Sequence, residues 1–255
     1  VTGTPYDTIH SVIGLTGEGM GSLKDFGVTF DIVELLPDGT PDYKGIEEAL
    51  SKKSYKAAYV QRSRGYTLRP TLNSDDIRKI TATVKANSKA IVMLDNCYGE
   101  FVEKTEPSDL GADLIVGSLI KNPGGGMADC GGYIAGTSRA VELCSYRLTS
   151  PGVGLEAGAS LYGNTRNMFK GIFYAPHTVC EALKTAALCA KVFENLGFKV
   201  YPAPDAERHC LIQTVSLETR ENLLAFCKGI QSGAPVDSHV TPEPWDMPGY
   251  AVPVI

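Results

Sequence analysis

The sequence predicts an α/β fold in which helices flank a mostly parallel sheet. Apolar runs of strand length alternate with amphipathic helical stretches at the spacing of βαβ units. With 255 residues and 43% hydrophobic content, the chain can bury a sizeable core. That size fits one large domain, or one domain with part of a second.

The opening stretch, "VTGTPYDTIHSVIG", reads as if entered in the middle of a strand-to-helix unit. "GVTFDIVELL" then reads as a strand, "DYKGIEEALSK" as an amphipathic helix and "YKAAYVQRS" as a strand. "NSDDIRKITATVKANS" is a helix with Asn73 or Ser74 as N-cap, and "KAIVMLDN" is a buried strand. "ADLIVGS" and "GGYIAG" are two further short apolar runs. Pro176 is expected to open a long helix that Gly197 caps. "FKVYPAP", "HCLIQTVSL" and "TRENLLAFCKGIQ" then read strand, strand, helix. Residues 1–196 are expected to form a large domain, and 197–255 the start of a smaller α+β domain. With no initiator methionine and an abrupt final "MPGYAVPVI", the chain is expected to be a piece truncated at both ends.

Composition narrows the partners. The net charge is −5 with no basic cluster, which argues against nucleic acid. No apolar segment reaches the roughly 18 uninterrupted residues of a membrane span. Seven dispersed cysteines with no C-x-x-C pair read as reduced thiols of a cytoplasmic protein. His10, His177, His209 and His239 are scattered without ligand spacing, so no metal is assigned.

In a parallel α/β sheet, ligands bind beyond the carboxyl ends of strands. Two such ends carry chemistry. Ile91 to Leu94 run straight into Asp95, a carboxylate that is costly there unless it meets a cation or a strong donor. Beyond "LIVGSLI" stands Lys121, followed by Asn122, Pro123 and Gly124 to Gly126. A lysine at the end of a buried strand is expected to lose hydration and drop in pKa, which frees its amine as a nucleophile toward carbonyls. A helix cap or salt bridge explains Asp95 alone, and solvation explains a lone lysine; the pair is less easily dismissed. The glycines lack the spacing of a phosphate-cradling P-loop and suit a flexible turn through which backbone approaches a ligand.

This combination resembles the fold type I (aspartate-aminotransferase-like) pyridoxal 5′-phosphate enzymes. The 26 residues from Asp95 to Lys121 are close to the spacing of the cystathionine and methionine lyase branch. "QRSRGY", "LDNCYGEFVE", "GSLIKNPGGGMADCGGYIAG" and "GNTRNMFKGIFYAPHTV" are similar to its methionine gamma-lyase-like, or aluminium-resistance, subgroup over essentially the whole chain. Members of that subgroup are considerably longer at both ends.

The resemblance implies that Lys121 carries the pyridoxal phosphate covalently and later moves the substrate's alpha proton. It implies that Asp95 pairs with the pyridine nitrogen, that Ser118 binds the phosphate and that Tyr98 sets a hydroxyl against the cofactor's phenolic oxygen; a simple turn serine also explains Ser118, and an ordinary half-buried tyrosine explains Tyr98 equally well. Tyr6 matches the tyrosine that stacks on the cofactor ring, and packing of the first helix explains it nearly as well. Among Arg62, Arg64 and Arg69, Arg64 is the choice for a phosphate or substrate carboxylate. Arg166 is open to the same role or to a salt bridge.

The activity implied is beta or gamma elimination from a small sulfur-containing amino acid, in a homodimer or homotetramer with Tyr6 reaching across the interface. Transamination, retro-aldol cleavage and a non-catalytic role in metal resistance remain alternatives.

Overall fold

The computed structural model describes all residues except 1, 18, 20, 149–150, 157–162 and 248–251. The described chain divides into two compact units. The first gathers residues 1–6, 29–186 and 207–212; the second gathers 7–28, 187–206 and 213–255.

The first unit is built on a four-stranded sheet in chain order: β1 (Ala57–Gln61), β2 (Ile91–Asp95), β3 (Leu114–Ser118) and β4 (Gly132–Gly136). β1, β2 and β3 run parallel and β4 closes the edge antiparallel to β3. Register assigns the two faces, because successive side chains alternate. Val60, Leu94 and Ile115 stand side by side on one face. They join Val92, Ile77, Ile80 and Val84 in the hydrophobic core. The opposite face carries Gln61, Asp95 and Val116 in one row, with Ser118 two residues further along β3.

Two helices supply the core's lid. α2 (Tyr43–Lys52) starts where the Asp42 carboxylate accepts the Gly45 N–H. α3 (Ser74–Asn87) starts at Asn73, where a reciprocal capping box with Asp76 satisfies two backbone donors. Both turn apolar stripes toward the sheet, Ile46 from α2 and Ile77, Ile80, Thr81 and Val84 from α3. Val92 and Leu94 have no exposed surface. Burying each is worth about 1.5–3 kcal/mol.

The second unit contains α1 (Asp7–Ile13), the hairpin of β5 (Lys199–Tyr201) with β6 (Thr214–Ser216), and α6 (Arg220–Ser232). It also holds the end of a long helix, Asn164–Asn195, whose earlier turns belong to the first unit. We number the helix Ser138–Leu148 α4 and this long one α5. Gly197 caps α5 as expected, at φ 89°. Its N–H bonds Glu194 O at 2.9 Å, and Phe198 N–H bonds Phe193 O at 3.0 Å, the Schellman pattern. The Phe193 ring packs on both Phe198 and Phe226.

Three readings change. "GVTFDIVELL" is not a strand: it pairs only through Val33, which bridges Thr2. Thr2 also bridges Val60, so its short segment intervenes between that stretch and β1 and offers too little backbone for a ladder. Pro176 does not open α5 but lies inside it, twelve residues past Asn164. A proline there removes one helical hydrogen bond, which the packing of the helix must offset. "HCLIQTVSL" forms a strand only at Thr214–Ser216, because its first part returns to the first unit. There Leu211 N–H bonds Tyr98 O, and the Cys210 thiol meets the Thr71 hydroxyl. "GGYIAG" becomes β4, the antiparallel edge of a sheet that is otherwise parallel, as expected of a mostly parallel fold.

All seven cysteines are unpaired. Among the described residues, no helix is long and apolar enough to cross a membrane.

Candidate active site

Asp95 and Ser118 end neighbouring strands on the face opposite the core, and Lys121 follows three residues after Ser118. Their turns are held together by backbone contacts. Lys121 N–H bonds Ser118 O, and the Ser118 hydroxyl accepts from Ile120 N–H. Lys121 caps a short 3-10 turn, Asn122–Gly124. The Asn122 side chain is buried and donates to Glu100 O at 3.0 Å, which ties the lysine turn to the loop after β2.

That loop brings Tyr98 under the lysine. Tyr98 adopts φ 70°, a left-handed conformation uncommon for a non-glycine residue. The Lys121 ammonium lies 4.2 Å from the centre of the Tyr98 ring, within cation–π range. Asp95 accepts Cys97 N–H at 3.0 Å and the Tyr59 hydroxyl at 3.3 Å.

These contacts shift the site's ionisation. Burial pulls the Lys121 amine down, but the acidic groups of Cys97, Tyr98 and Asp95 outweigh it and hold the amine above its ordinary range. The expected fall in the lysine's pKa is therefore corrected. Dehydration is only half of its environment; three acidic neighbours supply the other half. Burial, reinforced by the Asp95 charge, pushes the Cys97 thiol up to about 12, so it stays protonated at neutral pH. Tyr59 is pushed well above the phenolic range by the same two causes.

A cavity of about 530 Å³ opens beside Lys121. Tyr98, Lys121, Asn122 and Thr178 line it with apolar Val179, Leu211 and Ile212. Asp95 and Ser118 do not line it.

The glycines after Lys121 serve a helix rather than an open turn. A Cβ on Gly124 would collide with Leu119 O, and Cβ atoms on Gly125 and Gly171 would each strike the other segment's backbone. Only glycine permits α5 to press on the lysine turn this closely.

Tyr6 is anchored to the same end of the sheet. Its N–H bonds the Gln61 side chain at 2.7 Å, and Gln61 is the register partner of Asp95. The Tyr6 ring leans on Tyr66, with centroids 5.7 Å apart.

The arginines separate into different jobs. Arg62 is 1% exposed and donates to Asn96 Oδ1, Gly99 O and Glu103. Arg69 donates to the carbonyls of Gln61, Ser63 and Pro70. Arg64 is 2% exposed in the turn after β1. Arg166 is exposed in the first turns of α5.

Sequence reasoning passed over Tyr59, Gln61, Cys97 and Glu100. Gln61 and Tyr59 carried a signal, since polar residues alternate with apolar Ala58 and Val60 along β1.

A parallel α/β sheet with a lysine and a carboxylate beyond adjacent strands places the chain in a class whose fold extends to distant enzymes. The pyridoxal-5′-phosphate dependent protein YhfS of Escherichia coli superposes with TM-score 0.62 at 16% identity, a likeness of fold alone. The chain belongs to the methionine gamma-lyase family, whose model matches residues 1–255. A solved carbon-sulfur lyase involved in aluminum resistance from Clostridium novyi NT is 49% identical, with TM-score 0.91 over 96% of this chain. The uncharacterized protein YnbB of Bacillus subtilis is 49% identical over 100% of this chain. The chain spans 61% of YnbB and 59% of the Clostridium chain.

Proposed function

We propose that the protein is a pyridoxal-phosphate-dependent carbon–sulfur lyase that performs beta or gamma elimination on a small sulfur-containing amino acid. The observation that carries this reading is the Lys121 amine poised over Tyr98, one strand from Asp95. The residues present fit the cofactor by the chemistry of the donor set. Lys121 offers a primary amine that, among the described residues, forms no ion pair. Asp95 offers a carboxylate, and Ser118 a hydroxyl beside it on the same face.

When bound, pyridoxal phosphate supplies an electron sink for a substrate carbanion. Lys121 would hold the cofactor through its Nζ, and its amine is the group that would move the substrate's alpha proton. Asp95 would keep the pyridine nitrogen protonated, and its bonds to Cys97 N–H and the Tyr59 hydroxyl hold the carboxylate in place. Ser118 would bind the phosphate, Arg64 the phosphate or the substrate carboxylate, Tyr98 would set its hydroxyl against the cofactor's phenolic oxygen and Tyr6 would stack on the ring. We place the working enzyme in the cytoplasm as a homodimer or homotetramer.

The test is to add pyridoxal phosphate, reduce with borohydride and map the label by peptide mass spectrometry. Lys121 should carry it. The loaded enzyme should then release pyruvate or 2-oxobutyrate with free thiol from sulfur amino acids. A colourless protein with no label on Lys121 would remove the cofactor reading, and amino-group exchange without thiol release would replace the lyase by a transaminase.

A further inference from the structure

On the core face of the sheet, behind the lysine turn, lies a carboxyl group that the proposed reaction does not use. Glu100 is 3% exposed. Its Oε1 accepts the Tyr133 hydroxyl from β4 at 2.9 Å, while Oε2 is buried with no hydrogen-bond partner. It presses on β3 at Gly117, where a Cβ would collide with both Oε1 and the Tyr133 ring. Its own carbonyl receives the Asn122 side chain, next to Lys121.

An ionised carboxylate with one oxygen buried and unpartnered is expensive, and a neutral acid at that position costs less. The surroundings favour the neutral form. Glu106 lies within electrostatic reach, and its two oxygens accept from Phe101 N–H and the Asn96 side chain, partners that Glu100 Oε2 lacks. Asp95 adds a second negative charge. Tyr133 faces Glu100 as a neutral phenol, its own pKa raised first by burial and then by Glu100. Arg62, which reaches the loop from the end of β1, is engaged by Glu103, Asn96 and Gly99.

We propose that Glu100 is a protonated carboxylic acid that positions the loop following Asp95 and carrying Tyr98 against the Lys121 turn, and that its ionisation loosens this seat. Its effect on the cofactor rests on the reading of Lys121 given above; its effect on the loop does not. Burial raises Glu100 to about 7, with its own backbone N–H and then Tyr133 pulling the other way and Glu106 and Asp95 adding to the rise. The linkage sign follows. Because the folded state retains the proton and the unfolded chain releases it at ordinary carboxyl pH, stability from this group falls as pH rises from the carboxylate range to about 7, then levels.

The test compares wild type with Glu100→Gln, a neutral isostere, in thermal melts from acid to mildly alkaline pH. The melting temperature of the variant should gain on wild type as pH rises toward about 7, then hold a constant lead. Hydrogen exchange of residues 96–101 and 119–124, corrected for intrinsic rate, should show protection falling over the same window in wild type and staying level in the variant. Tyr133→Phe is the second variant. It removes a bond that favours ionisation, so the wild-type transition should move to higher pH. A melting difference that does not change with pH, or unaltered exchange in both segments, would overturn the proposal. Pyridoxal phosphate uptake is read alongside, and the ratio of variant to wild type should rise with pH. No uptake by either protein at any pH, with the melting and exchange patterns intact, would overturn the cofactor reading and leave Glu100 its seat.

Discussion

The Lys121 ammonium sits 4.2 Å from the centre of the Tyr98 ring, and Tyr98 presents that ring from a left-handed backbone at φ 70°. Holding a non-glycine residue there costs on the order of 1 kcal/mol. Contacts around the loop offset that cost, among them Leu211 N–H on Tyr98 O and Asn122 on Glu100 O. A lysine placed over an aromatic face, with Asp95 near, is stabilised as an ammonium.

The first prediction concerns that proton. A lysine with a raised folded pKa contributes stability that is complete below its ordinary value and is lost only as pH rises through the raised one, so neutral pH leaves the fold untouched. Reactivity behaves differently. Labelling of Lys121 by an acylating reagent should climb with pH across the alkaline range, and Asp95→Asn should move the curve to lower pH by removing a supporting negative charge. Peptide-resolved mass spectrometry measures both curves. Superimposable curves would show that Asp95 does not act on the amine.

Asp95→Ala should retain cofactor through Lys121 yet lose turnover by roughly 10²–10³-fold, the scale of removing one electrostatic stabiliser. Asp95→Glu should recover little, because the longer arm displaces the charge from its Cys97 and Tyr59 donors. Steady-state kinetics with cofactor content measured in parallel checks this; near wild-type kcat in Asp95→Ala ends the assignment.

Arg62 is one of three arginines that the sequence clusters after β1, and its guanidinium bridges Asn96, Gly99 and Glu103. Arg62→Ala should destabilise by about 3–5 kcal/mol, since it strands a partly buried carboxylate. Arg62→Lys should rescue little, because an ammonium cannot span three acceptors in a planar fork. Urea unfolding gives both values, and a loss below about 1 kcal/mol, the scale of an exposed pair, would contradict this role.

Tyr6 poses a question of cis or trans. Sequence similarity suggests that it reaches a neighbouring subunit's site, whereas its N–H is pinned by Gln61 beside Asp95 of its own chain. We therefore expect that mixing Lys121→Ala and Tyr6→Ala proteins under verified subunit exchange restores no activity. Recovery of part of the wild-type rate would place Tyr6 in trans.

The candidate site was legible where chemistry interrupts an apolar run. Asp95 after four apolar residues and Lys121 before three glycines stand out because a charge at a buried strand end needs a reason. Glu100 had no such signal. A glutamate in a polar loop reads as solvated, and only the closeness of Gly117 and Tyr133 buries it.

Local sequence alone determined the helices α2 and α3, the strands β1 to β3 and the caps at Asn73 and Gly197, because periodicity and capping act within a few residues. Tertiary structure decided the rest. It denied the stretch before Pro37 a strand by giving it only Thr2 to pair with, and it carried α5 through Pro176, whose missing N–H is a local cost that long-range packing outweighs. It also set the protonation of Lys121. Burial lowers a lysine and acidic neighbours raise it, and which effect wins depends on where Tyr98, Cys97 and Asp95 lie in space, a distance that no spacing along the chain encodes.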